Sequence, residues 1–236
     1  MITLRQPAIV AEAGRILAIP ARDPKTLLKQ ALISLALIGL VFALPAFILW
    51  CGPLFYLANQ EMCHDLGVGN LWHMFVLGCG VTLVVLTPRT MGVRIGRIRA
   101  HLGLIASVSV IAFATSALGA WFLTENPFSD APPGLYLMTP IGEELIFRGF
   151  AYTLLLWAFP TQKTRHGLSY AVIGSALLFG LWHLAMQGTV TVGFIWVQAG
   201  YTALAGLLLG TLREKTGSLL PCVTTHMGSN LVVALI

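Results

Sequence analysis

An all-α, polytopic transmembrane helical bundle is the fold class this sequence predicts, and three observations predict it. Of 236 residues, 57% are hydrophobic and only 10% are charged, where a water-soluble domain carries about 25% charged residues. Apolar runs of about twenty residues recur along the chain, the length a helix needs to cross a bilayer. Strand-type alternation is absent, so helices and not a barrel do the spanning. Residues 1–26 form a basic tail with Arg5, Arg15, Arg22 and Lys25, without the uninterrupted apolar core of a signal peptide. Residues 27–236 are expected to form a single transmembrane domain, with no internal repeat.

Seven apolar segments follow in order. Leu27–Trp50 is the first and holds Pro45, a kink position. Asn70–Thr87 and Leu102–Leu123 are the next two, uninterrupted by any Asp, Glu, Lys or Arg. Gly134–Phe159 is the fourth, and it alone carries charge near its centre. Leu168–Met186, Thr189–Leu212 and Ser218–Ile236 complete the set. Gly142, Gly149, Gly174, Gly180, Gly206, Gly210 and Gly228 recur in the later segments, the small residues that let membrane helices approach closely. The tryptophans, Trp121 and Trp196 among them, mostly mark segment ends, as interfacial belt residues do.

The connections alternate in charge. Cys51–Val68 and Thr124–Pro133 carry acids and no base, and the turn at Gln187 carries no charge. The segment Pro88–His101 holds Arg89, Arg94, Arg97 and Arg99, the next basic loop holds Lys163 and Arg165, and Arg213 and Lys215 close the sixth segment. By the positive-inside rule the N-terminus and the basic loops are cytoplasmic, and seven crossings put the C-terminus outside. The net charge of +5 is accounted for by these clusters, so a nucleic-acid partner is excluded; the lipid bilayer is the partner expected.

Glu143, Glu144 and Arg148 stand inside the fourth segment, where each mid-helix charge costs roughly 2.5–3.5 kcal/mol on insertion scales. Glu144 and Arg148 are four apart and share a helix face, so they can pair. Glu143 is turned about a quarter-turn away, a spare carboxylate where function is the default hypothesis. His183 follows Phe179 by one turn in the fifth segment, and Phe179 can wall its imidazole. His226 and Asn230 are likewise one turn apart in the seventh. A lone histidine in an apolar helix is usually a structural hydrogen-bonder. An acid, two histidines and an amide on three helices form a constellation suited to hydrolysis. Glu143, His183 and His226 are also a possible zinc ligand set, and a polar centre in a bundle equally suits a non-enzymatic immunity or transport protein.

Glu143-Glu144-x-x-x-Arg148, Phe179-x-x-x-His183 and His226-x-x-x-Asn230 resemble, in order, the three motifs of the CAAX protease and bacteriocin-processing family of intramembrane endopeptidases. The resemblance covers about Met138 to Asn230, within a core of about 134–236. It implies a water activated by Glu143 and His183 without a cofactor, an oxyanion held by His226 and Asn230, and Glu144, Arg148 and Phe179 as shaping residues. The implied substrate is a membrane-associated peptide or protein C-terminal tail, lipidated or not, in a bacterial cytoplasmic membrane. The family's better-known members have eight spans, one more than the seven counted. Glu143 lies about 14 Å from the Gly134 end at the helical rise per residue, and His183 stands near the Gln187 turn. Both ends are base-free, which leads us to expect a site tilted toward the outer face.

Overall fold

The computed structural model describes residues 91–122, 133–160, 163–164, 167–184 and 192–236, with isolated positions between 25 and 81. Among the described residues the chain is helical throughout, with one isolated bridge between Lys163 and Ser169 and no strand. Five helices correspond to the last five predicted segments. Helix α1 is Leu102–Phe122. Helix α2 runs as Pro133–Glu144, a π-helical Leu145–Ala151 and an α-helical Tyr152–Ala158. Helices α3, α4 and α5 are Tyr170–His183, Val192–Thr216 and Leu220–Leu235. The stretches Arg99–Trp121 and Gly193–Thr216 are long and apolar enough to cross a membrane. The first two predicted segments and the basic tail lie outside the described residues, apart from the isolated positions.

Local chemistry sets the helix boundaries. Ser169 caps α3 by accepting from the Val172 amide at 3.2 Å, the interaction an N-cap hydroxyl provides. Gly217, at φ 68°, ends α4, and Pro221 stands in the first turn of α5, where its missing N–H costs nothing. Two polar residues of α1 are met across the bundle, while Ser107 and Thr115 turn back to carbonyls of their own helix. Ser109 bonds Thr225 of α5 and Ser116 bonds Tyr201 of α4, both at 2.8 Å.

Small residues account for the closest packing. Helices α3 and α4 lie along one another, and α5 packs on α1 and the first part of α2. A Cβ on Gly180 would stand 2.7 Å from the Ala199 carbonyl oxygen and 2.8 Å from the Ala203 Cβ. One on Gly206 would stand 2.9 Å from the Ala176 Cα and 3.1 Å from the Arg148 Nη2. Gly180, Gly206 and Gly210 of the glycine pattern read from the sequence therefore line the α3–α4 seam. Trp121 and Trp196 are largely exposed, as belt residues are, whereas Trp182 is buried against Phe147.

The basic loops converge at one end. Arg97 donates from its main chain to the Thr216 carbonyl at 2.7 Å and from Nη2 to the Lys215 carbonyl at 3.2 Å. Arg94 Nε donates to the Gly217 carbonyl at 3.2 Å, and the Leu219 amide returns a bond to the Gly92 carbonyl at 3.0 Å. Lys163 pairs with Glu214 at 3.2 Å, and Ser169 donates to that carboxylate at 2.6 Å. Three loops that alternation assigns to one side of the membrane thus share one end of the bundle.

Two expectations are corrected. The fourth segment reads as one uninterrupted α-helix, but seven of its residues form a π-helix; no residue type in that stretch marks the change. Arg213 reads as a loop base that closes the sixth segment, yet α4 continues to Thr216 and buries Arg213 to 7% exposure. A local charge count has no means of seeing the carbonyl that receives it.

Gly206→Val is expected to destabilise the protein by about 1–3 kcal/mol, the usual cost of overpacking. Gly103→Ala, where a Cβ meets nothing within 4 Å, is expected to leave the thermal midpoint in detergent unchanged.

Candidate functional site

Four of the residues singled out by sequence meet in the interior. Arg148 and Glu144 are fully buried and joined by an Nη1–Oε1 bond of 2.8 Å. The same Oε1 also lies 2.9 Å from His226 Nδ1, carried in from α5. His226 Nε2 faces the other acid, 3.7 Å from Glu143 Oε2, a charge contact longer than a hydrogen bond. The His226 ring thus bridges both carboxylates, tightly bound to Glu144 and only loosely set against Glu143.

Phe179 supplies the wall. The Arg148 guanidinium sits over its ring, 4.3 Å from the centroid, a favourable placement for a desolvated cation. His183 and His226 meet the same ring edge-on at 4.8 and 5.6 Å, and the Phe147 ring stands tilted to it at 4.9 Å. Among the described residues, Glu144 Oε2 and Arg148 Nε and Nη2 have no hydrogen-bond partner. The aromatic face compensates part of that deficit for the guanidinium.

The tautomer of His183 follows from its own bond. Its Nδ1 lies 2.8 Å from the Phe179 carbonyl oxygen, which only accepts, so Nδ1 carries the proton and the neutral ring offers its Nε2 lone pair. His226 Nδ1 likewise donates to a carboxylate, so donation from Nε2 as well requires the imidazolium. Asn230 is partly buried one turn beyond His226. The structure brings His226 to Glu143, and it sets His183 against the same Phe179 ring as His226, with His183 Nδ1 engaged by the backbone.

The site draws on helices that enter from opposite ends of the bundle. His226 enters less than two turns from the base-rich start of α5, and Gly206, beside Arg148, stands near the middle of α4. The expectation of an outward tilt used the fourth and fifth segments alone, and α5 arrives from the opposite end. Among the described residues, no three His, Cys, Asp or Glu side chains are grouped as metal ligands. The set Glu143, His183 and His226 would have to rearrange to hold zinc. Phe147 and Arg213 are residues of this region that sequence reading missed; Phe147 sits in an apolar run and carries no signal of its own.

Arg148→Ala is expected to destabilise the folded protein by about 3–5 kcal/mol, because it strands the Glu144 carboxylate in the interior. Chemical denaturation in detergent would measure this. An equal or higher midpoint would show that the pair does not hold the site.

No curated protein and no solved structure matches the chain. A protein family does, over residues 131–232, and its description is type II CAAX prenyl endopeptidase Rce1-like. That stretch contains the whole cluster of Glu143, Glu144, Arg148, Phe179, His183, His226 and Asn230. Residues 131–232, somewhat less than half of the chain, are thus similar to the type II CAAX prenyl endopeptidase Rce1-like family, within the wider group that the three motifs resemble.

Proposed function

We propose that this protein is an intramembrane endopeptidase in which Glu143 activates the attacking water. The observation that carries the reading is the asymmetry between its two adjacent acids. Glu144 is committed to Arg148 and His226 at hydrogen-bond distance, while among the described residues the closest charge contact of Glu143 is the 3.7 Å approach of His226. Glu143 is the carboxylate left able to accept a proton.

The chemistry follows from these positions. Glu143 takes a proton from water, and the Nε2 lone pair of His183 accepts a hydrogen bond from the same water. The hydroxide formed attacks the peptide carbonyl carbon. His226 Nε2–H and the Asn230 amide donate to the oxyanion, with Glu144 keeping the His226 ring oriented through Nδ1. Glu143 then returns its proton to the leaving amine, so no cofactor is consumed. The substrates are membrane-associated peptides or protein C-terminal tails whose apolar or lipidated part partitions into the bilayer, as in CAAX-type, bacteriocin or sorting-tail processing. The N-terminus and basic loops face the cytoplasm of a bacterial membrane, in line with the gathering of these loops at one end.

Glu143→Gln is expected to reduce cleavage of a reconstituted peptide by about 10²–10⁴-fold while the protein still folds. Asn230→Ala is expected to lose about 10²–10³-fold, the effect of one oxyanion donor. Normal cleavage by Glu143→Gln would end the mechanism. Loss of activity on exhaustive chelation, restored by zinc, would transfer the role of Glu143, His183 and His226 to metal ligation. Orientation is checked with a tag after Ile236, expected to be reached by protease added outside intact cells.

A further inference from the structure

The chemistry above leaves one buried charge unused. Arg213, near the end of α4, is 7% exposed and donates from Nε to the main-chain carbonyl of Arg148 at 3.1 Å. Its guanidinium lies 5.3 Å from the centre of the Tyr152 ring. A Cβ on Gly92, whose φ is 78°, would run into this guanidinium. Arg213 is therefore enclosed by the 91–97 segment on one side and by α2 on the other.

The carbonyl it meets belongs to the π turn. The Tyr152 amide reaches back five residues to the Phe147 carbonyl, and α-helical bonding resumes beyond it. Returning from i→i+5 to i→i+4 bonding leaves one main-chain carbonyl at the junction without a helical amide. A buried carbonyl needs a donor from elsewhere, and Arg213 delivers one from α4. A second strut stands beside it: Met91, 1% exposed, fills the space over Gly149, where a Cβ would come within 2.7 Å of its Cε. Gly149 directly follows Arg148.

We infer that Arg213 is a positioning residue for the reaction proposed above, on which this inference rests. By holding the Arg148 carbonyl it fixes the π junction, and with it the Arg148–Glu144–His226 chain that stands against Glu143. Arg213 touches neither substrate nor reacting atoms and acts through Arg148.

The test compares three variants of the full chain in detergent or vesicles, using the same reconstituted peptide. Arg213→Gln is expected to lower kcat about ten-fold, the effect of one unmade buried hydrogen bond, with KM changed less than about two-fold. Arg213→Lys, which keeps the charge and a donor, is expected between Arg213→Gln and the unaltered chain. Arg97→Ala removes an equal charge from the same end of the bundle but not from the π junction, and is expected to keep the unaltered kcat. Amide hydrogen exchange gives a readout independent of cleavage: peptides covering 145–152 should exchange faster in both Arg213 variants, and those covering 102–122 should not. An unchanged kcat in Arg213→Gln, an equal fall in Arg97→Ala, or unchanged exchange at 145–152 overturns the inference. Should Arg213→Gln fail to fold, Arg213→Lys decides by the same exchange comparison. If the unaltered chain cuts nothing, the proposed function fails on its own, while exchange at 145–152 still tests whether Arg213 holds the turn.

Discussion

The buried ion pair of Glu144 and Arg148 is the constraint on which the rest of the described structure depends. Neither side chain reaches solvent, and two isolated charges in such surroundings would each cost several kcal/mol. The pair persists because each partner has further company. Glu144 shares its Oε1 with His226, and Arg148 lays its guanidinium on Phe179. These contacts tie α2 to α5 and α3, so the interaction that neutralises charge also brings three helices into register. Buried pairs are weak evidence for stability in general, since apolar residues often replace them without loss. Here the pair is better understood as a specifier of geometry, because removing it would leave the His226 imidazole without its Nδ1 acceptor.

That geometry needs a bundle packed closely enough to deny the charges other arrangements. The α3–α4 seam provides it, with Gly180 against Ala199 and Ala203, and Gly206 against Ala176. Arg148 Nη2 stands 3.1 Å from where a Gly206 side chain would begin. The small-residue seam and the ionic centre are therefore one packing problem. At the base-rich end, main-chain bonds from Arg97 and Leu219 join the 91–97 segment to the α4–α5 turn. This brings Met91 and Arg213 against α2 from below the site.

The site was more legible in the sequence than the path of its backbone. Glu143, Glu144, Arg148, Phe179, His183, His226 and Asn230 stand out because ionisable and amide groups inside apolar runs demand a reason. The spacing of four correctly pairs Glu144 with Arg148, since that pair meets at 2.8 Å even though the helix turns from α to π immediately after Glu144. The π turn itself was invisible, because it depends on which carbonyls find donors in three dimensions. Arg213 was misread for the same reason: adjacent to Glu214 and Lys215 it looks like one member of a surface cluster, and only the fold turns it inward.

Two adjacent carboxylates of the same chemistry are separated here by their neighbours. One residue of helix advances the chain by about 100°, which follows from 3.6 residues per turn, so Glu143 and Glu144 cannot both face Arg148. The face shared with Arg148 and the His226 Nδ1 belongs to Glu144, whose first oxygen is doubly engaged. Glu143 is left beside the other nitrogen of the same ring, at a distance too long for a hydrogen bond. A single imidazole thereby binds the acid paired with Arg148 and faces the one proposed to activate water, and any movement of Glu144 is passed to the surroundings of Glu143 through one rigid ring. Exchanging the roles of the two acids would require α2 to rotate by about a quarter-turn. Arg148 on Phe179, Met91 over Gly149 and Arg213 on the Arg148 carbonyl all oppose that rotation.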